Sequence, residues 1–84
     1  MPSYLVETYM PRAEAVDASA AGRRARAAAR ELSRLGTSVR YVRTTLLPVD
    51  ETCFHVFVAD SEAAVAEACR RAGLGSPRIV PALE

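Results

Sequence analysis

The hydrophobic pattern of this chain switches between a two-residue and a 3.6-residue period, and each switch marks an element. Residues 4–10 are aromatic and β-branched and are closed by Pro11, which predicts a strand. Residues 11–16 read as a connector, and Asp17 is placed to cap a helix over 18–35. In that helix Ala21, Ala25, Ala28, Ala29, Leu32 and Leu35 fall on one stripe, while Arg23, Arg26, Arg30 and Arg34 line the other side. A stripe made mostly of Ala lets the helix approach a sheet closely, and Gly36 is a suitable stop. A second strand over 39–46 leads through a turn at 47–51, with Pro48 and Asp50, into a third and more apolar strand over 52–59. Asp60 or Ser61 caps a second helix over 62–72, whose apolar stripe is Val65, Ala68, Cys69 and Ala72. Gly73 and Leu74 suit a Schellman stop. A short last strand within 77–83, centred on Ile79 and Val80, carries two prolines and therefore belongs at an edge.

Strand, helix, strand, strand, helix, strand is the split βαβ plan. It predicts an α+β fold: a four-stranded antiparallel sheet with two helices on one face and the first and third strands central. Side chains alternate between the two sides of a strand. On the third strand Phe54, Val56 and Val58 form an all-apolar set that is expected under the helices, leaving Cys53, His55, Phe57 and Ala59 for the open face. On the first strand Val6 and Thr8 suit the core, with Tyr4 near its end, and Leu5, Glu7 and Tyr9 the open face. On the second, Val42, Thr44 and Leu46 suit the core, and Tyr41, Arg43 and Thr45 the open face. The open face is then expected to collect Glu7, Tyr9, Tyr41, Arg43, Cys53, His55 and Phe57. A slip of one residue would invert any one strand.

With 84 residues the chain has room for a single domain spanning 1–84. So short a chain buries about 60% of its unfolded surface, which leaves a thin stability margin and favours a homodimer. The 11 basic residues are all Arg, and against 10 acidic residues they give a net charge of only +1. That balance argues against a dedicated partner in nucleic acid or a membrane surface. An RNA-recognition module shares this topology, and Phe57 and Tyr9 could stack bases, but its glycine- and basic-rich signature is missing. Two cysteines do not make a disulfide framework. With no leader-like start and no apolar run of membrane length, the expectation is a cytoplasmic protein with reduced thiols.

Candidate chemistry centres on the expected open face. His55, the sole histidine, could act as a general base oriented by Glu7, or sit in a satisfied hydrogen bond or an interface. Cys53 and His55, two residues apart and so about 7 Å apart at Cα, could both bind a metal, with Glu7 or a second subunit completing the set. Glu7 interrupts an apolar, aromatic strand and needs a partner; Arg43 is the natural one, either to anchor a ligand or as a structural ion pair. The arginines of the first helix could bind phosphate or form a solvated face.

The opening Tyr4-Leu5-Val6-Glu7 followed by Pro11, and the stretch from Val39 to Leu74, resemble a family of small bacterial ferredoxin-like proteins of unknown function, some described as nickel-binding. The resemblance implies a ferredoxin-like fold and a divalent transition metal such as nickel, with Glu7 matching the family. Members carry Trp-Val-His where this chain has Tyr41-Val42-Arg43, and often Cys where His55 stands. Arg43 thus puts a permanent cation where the family has a His, and repels a divalent metal unless Glu7 neutralises it. Three functions follow. The first is a homodimeric ligand- or metal-binding protein, with Glu7 and His55 (and Cys53) as donors and Tyr9, Tyr41, Arg43 and Phe57 shaping the site. The second is a small dimeric α+β-barrel enzyme of cyclase, isomerase or oxygenase type, with His55 as base. The third is a structural dimerisation module.

Overall fold

A computed structural model describes residues 1–83. The chain runs through β1 (Ser3–Tyr9), a 3₁₀ segment (Arg12–Asp17), α1 (Ala18–Arg34), β2 (Val39–Leu47), β3 (Thr52–Ala59), α2 (Glu62–Ala72) and β4 (Arg78–Ala82). All three strand pairings are antiparallel and the sheet order is β2-β3-β1-β4, so β1 and β3 are central and the proline-bearing β4 is an edge. This is the expected ferredoxin-like α+β fold.

Both helices cover the same side of the sheet. Ala25, Ala28, Ala29 and Leu32 of α1 and Ala64, Val65, Ala68, Cys69 and Ala72 of α2 close one core with Tyr4, Val6, Val39 and Phe57. Small helix residues facing large strand residues keep the layers close, as the alanine stripe predicts. The helix ends follow their local chemistry. Ser61 Oγ accepts from the Ala64 amide at 3.2 Å. Gly73 stops α2 at φ +68°, and the Leu74 amide reaches back to the Cys69 carbonyl at 3.1 Å, as in a Schellman turn.

Three expectations are corrected. Asp17 makes no side-chain cap, because the 3₁₀ segment enters α1 directly and Asp17 already has helical angles. Leu35 lies past the end of α1 and is exposed rather than part of the buried stripe.

The largest correction concerns strand phase. On β1, Val6 is fully buried in the core, and it pairs with His55; Tyr4 pairs with Phe57 and Thr8 with Cys53. Directly paired residues share a face, so Cys53, His55, Phe57 and Ala59 lie under the helices. Phe54, Val56 and Val58 lie on the open face beside Glu7, Leu5 and Ser3. Both sets of β3 are largely apolar, so alternation alone cannot choose between them. On β2 a bulge interrupts the register between Tyr41 and Arg43. Thr44 and Leu46, beyond it, keep the expected helix side. Before it the phase reverses, and Tyr41 joins the helix side opposite Phe57.

Candidate functional site

Beneath α1 a run of polar side chains crosses the otherwise apolar core. Tyr41 Oη lies 2.6 Å from Thr44 Oγ1, and Thr44 Oγ1 lies 2.7 Å from His55 Nδ1. On the other side of the ring, His55 Nε2 is 3.7 Å from Cys53 Sγ. The Thr8 hydroxyl donates to the Cys53 carbonyl at 3.3 Å. His55 is the one fully buried polar residue of the described chain, and no buried side-chain nitrogen or oxygen among the described residues lacks a partner. Such a network is stable only when every member is satisfied, since the low local dielectric makes a lone polar group costly.

Hydrogen-bond direction is constrained along this run. Thr44 has one hydroxyl hydrogen to share between Tyr41 and His55. With a neutral ring, and with the Thr44 hydrogen used within the run, all donors point one way. Either Tyr41 gives to Thr44, Thr44 to Nδ1 and Nε2–H to sulfur, or every donor is reversed and Nδ1 carries the proton. Burial pushes the His55 pKa down, and the nearby Arg24 guanidinium adds to the effect, so the ring is held neutral. Burial raises the Cys53 thiol, opposed in part by the Thr8 hydroxyl, and lifts Cys69 to about 11. Neither thiol is poised as a nucleophile.

Two residues outside the expected site build this one. A Cβ on Gly22 would sit 2.9 Å from both Thr44 Oγ1 and Tyr41 Oη. The glycine thus opens the space in α1 where those hydroxyls meet. Arg24 donates Nε to the Ala72 carbonyl at 2.9 Å, which ties α1 to the C-terminus of α2, where a cation is favoured. The readable hint was a single Gly inside an Ala-rich helix, a place where Gly costs about 1 kcal/mol and so calls for a packing reason.

The expected constellation is divided between the two faces of the sheet. Glu7, Tyr9 and Arg43 are on the open side; Cys53, His55, Phe57 and Tyr41 are on the helix side. Glu7 is not beside His55, and its ion-pair partner is Arg78, its direct neighbour on β4, at 3.6 Å, rather than Arg43. Tyr9 is exposed. Phe57 is fully buried and meets the Tyr41 ring edge-on, with centroids 5.9 Å apart. His55 is out of reach of a substrate in this conformation.

An α+β domain with an open sheet face and a sealed histidine network is the class these features define. Over residues 4–81 the chain matches the family described as "Nickel responsive protein SCO4226-like", and it belongs to that family. Comparisons with curated proteins and with solved structures gave no match. No helix among the described residues is long and apolar enough to cross a membrane.

The family description raises nickel, and the donor set can be tested against it. Ni²⁺ takes a square-planar or higher set of nitrogen, oxygen or sulfur donors. Cys53 and His55 are two, and Nδ1 of His55 is already engaged by Thr44. Among the described residues no group of three or more His, Cys, Asp or Glu side chains could hold a metal. The described residues of one chain do not fit a nickel centre.

Proposed function

We propose that this protein is a homodimeric binding protein whose two open sheet faces pack together, so that the pair rather than the single chain forms the ligand site. One observation carries this reading: the face without helices is apolar along its middle and charged in a self-complementary way at its rim. Leu5, Phe54, Val56, Val58 and Val80 share that face by register, and Glu7, Arg43 and Arg78 flank them. A two-fold axis sets the same patch against itself, so the Glu7 of one chain can meet an arginine of the other. Sheets packed this way sit about 10 Å apart and bury their facing side chains. For so short a chain, pairing also adds the apolar burial that one copy lacks.

The family's nickel association enters this reading only at the level of the pair. Glu7 is the one carboxylate among the strand residues of the open face, and that face offers no His or Cys. A metal there would need oxygen donors from both chains and would face the cationic Arg43. The enzyme reading has no such support, because the imidazole it needs is buried and hydrogen-bonded beneath α1.

Native mass spectrometry of untagged protein purified without chelator reads subunit number and bound metal together. The expected result is a dimer that holds no stoichiometric nickel. A dimer with nickel that is lost in Glu7→Gln would move the metal to the seam between the sheets. A folded monomer at high concentration would remove the proposal.

A further inference from the structure

A cleft runs between α1 and the edge strand β2, on the rim of the molecule away from the open sheet face's centre. Near the start of α1 it encloses about 480 Å³ and is bordered by Arg23, Arg26, Arg43, Tyr41 and Thr44. It continues toward the end of α1 as a space of about 750 Å³ bordered by Arg30, Arg34 and Arg40, with Arg26 and Tyr41 common to both parts. Six of the chain's 11 basic residues therefore line one cleft, and no acidic residue among the described residues does. In a chain of net charge +1 this is a marked segregation.

Five of these six guanidiniums have no ion-pair partner among the described residues. Arg34, the sixth, pairs with Glu31. Arg23 contacts only the neutral Ser19 Oγ, at 3.1 Å, and Arg26 lies over the Tyr41 ring, 5.2 Å from its centroid. Arg23, Arg26 and Arg30 follow one line of α1, with successive rises of about 4.5 and 6 Å. Arg40 and Arg43 border the cleft from the edge strand β2, where their register puts them on its open side. Like charges gathered around one cleft repel each other until an anion lies among them. Each planar fork matches the oxygens of a phosphate or carboxylate.

We propose that the α1–β2 cleft binds a small multivalent oxyanion, an oligophosphate or a polycarboxylate, between the arginines of α1 and those of β2. Arg26 and Tyr41 lie on the helix side, clear of any sheet pairing, whereas Arg43 is shared with the rim of the open face. The site also connects to the buried histidine. Tyr41 and Thr44 border the cleft, and their hydroxyls lead directly to His55 Nδ1. An oxyanion that accepts from the Tyr41 hydroxyl leaves Tyr41 to accept from Thr44, and Thr44 to accept from His55. The bound state then has Nδ1 protonated, with Cys53 S–H giving to Nε2.

Calorimetric titration of the full chain with inorganic tripolyphosphate, citrate and orthophosphate tests the proposal. The expected result is saturable binding of one tripolyphosphate or citrate per chain, at least about tenfold tighter than orthophosphate, with the tighter of the two naming the ligand's source. Arg26→Ala and Arg23→Ala should each weaken it about tenfold or more, since each removes a charge-assisted pair. Arg70→Ala, an equal loss of charge on α2, should change it less than about twofold. At saturation the ¹⁵N spectrum of His55 should report the Nδ1–H tautomer. Absence of saturable binding, equal weakening by Arg70→Ala, or binding confined to a single-stranded oligonucleotide would each overturn the assignment.

Discussion

Phe54 and Phe57 stand three residues apart on one strand and face opposite ways. Phe57 is fully buried among helix alanines and the Tyr41 ring; Phe54 lies half-buried on the face that no helix covers. The same contrast runs through the whole sheet. Its covered side holds the domain together and hides the one histidine in a satisfied polar run. Its open side is apolar, accessible and rimmed by Glu7, Arg43 and Arg78. The chemistry that looks reactive in this chain is sealed, and the surface that looks merely structural is the one available for recognition.

The largest expected effect is on the covered side. Phe57→Ala should cost about 3–5 kcal/mol, by lost transfer energy and the cavity left behind. Phe54→Ala should cost much less when both are compared by urea unfolding at a concentration where pairing is negligible. Equal losses would erase the distinction between the faces. Thr44→Val removes the partner of both His55 Nδ1 and the Tyr41 hydroxyl, and should cost about 1–3 kcal/mol. The double change Thr44→Val with His55→Leu should recover part of that loss, because no unpaired imidazole nitrogen is then left buried; additive losses would contradict the network.

Most of the fold could be read from the chain because helix ends and strand order rest on local chemistry. The Ser61 cap, the Gly73 stop and the proline-marked edge strand each act over a few residues. The face of β3 could not be read, because Phe54-Val56-Val58 and Cys53-Phe57-Ala59 are both apolar enough to be core. Only the pairing of Val6 with His55, a long-range contact, decides between them. Tyr41 was misplaced for a different reason: a bulge adds one residue to β2, and a strict two-residue period has no room for it. The candidate site therefore came apart while its individual residues kept their interest. Glu7 and Arg43 were rightly placed on the open face, and His55 was found to be held by hydrogen bonds instead of flanked by a carboxylate.

Smaller effects sharpen the same comparison. Gly22→Ala should gain about 1 kcal/mol of helix propensity, yet its Cβ would press on two hydroxyls that are bonded to each other. Overpacking of this kind costs about 1–3 kcal/mol, so the net result should be a modest destabilisation seen as a lowered thermal midpoint. A stabilised variant would show that the contact beneath α1 is loose. The pH dependence of unfolding gives a further test. The folded-state pKa of His55 lies below its ordinary value of 6.5, so the unfolded chain binds the proton more readily. The stability this contributes is complete above about pH 6.5 and is lost as pH falls toward the folded-state pKa. His55→Gln should therefore flatten the fall in stability between pH 7 and pH 5, relative to the parent chain; parallel curves would mean that the ring titrates freely.

The central claim is that the uncovered face is where two copies meet, and sedimentation equilibrium of the parent chain beside Phe54→Arg tests it most directly. Each protomer has a mass of 9.1 kDa. The parent chain should sediment at twice that mass, and Phe54→Arg at the protomer mass with an unchanged circular dichroism spectrum. A parent chain that stays at the protomer mass up to high concentration, or a Phe54→Arg variant that remains dimeric, would contradict it.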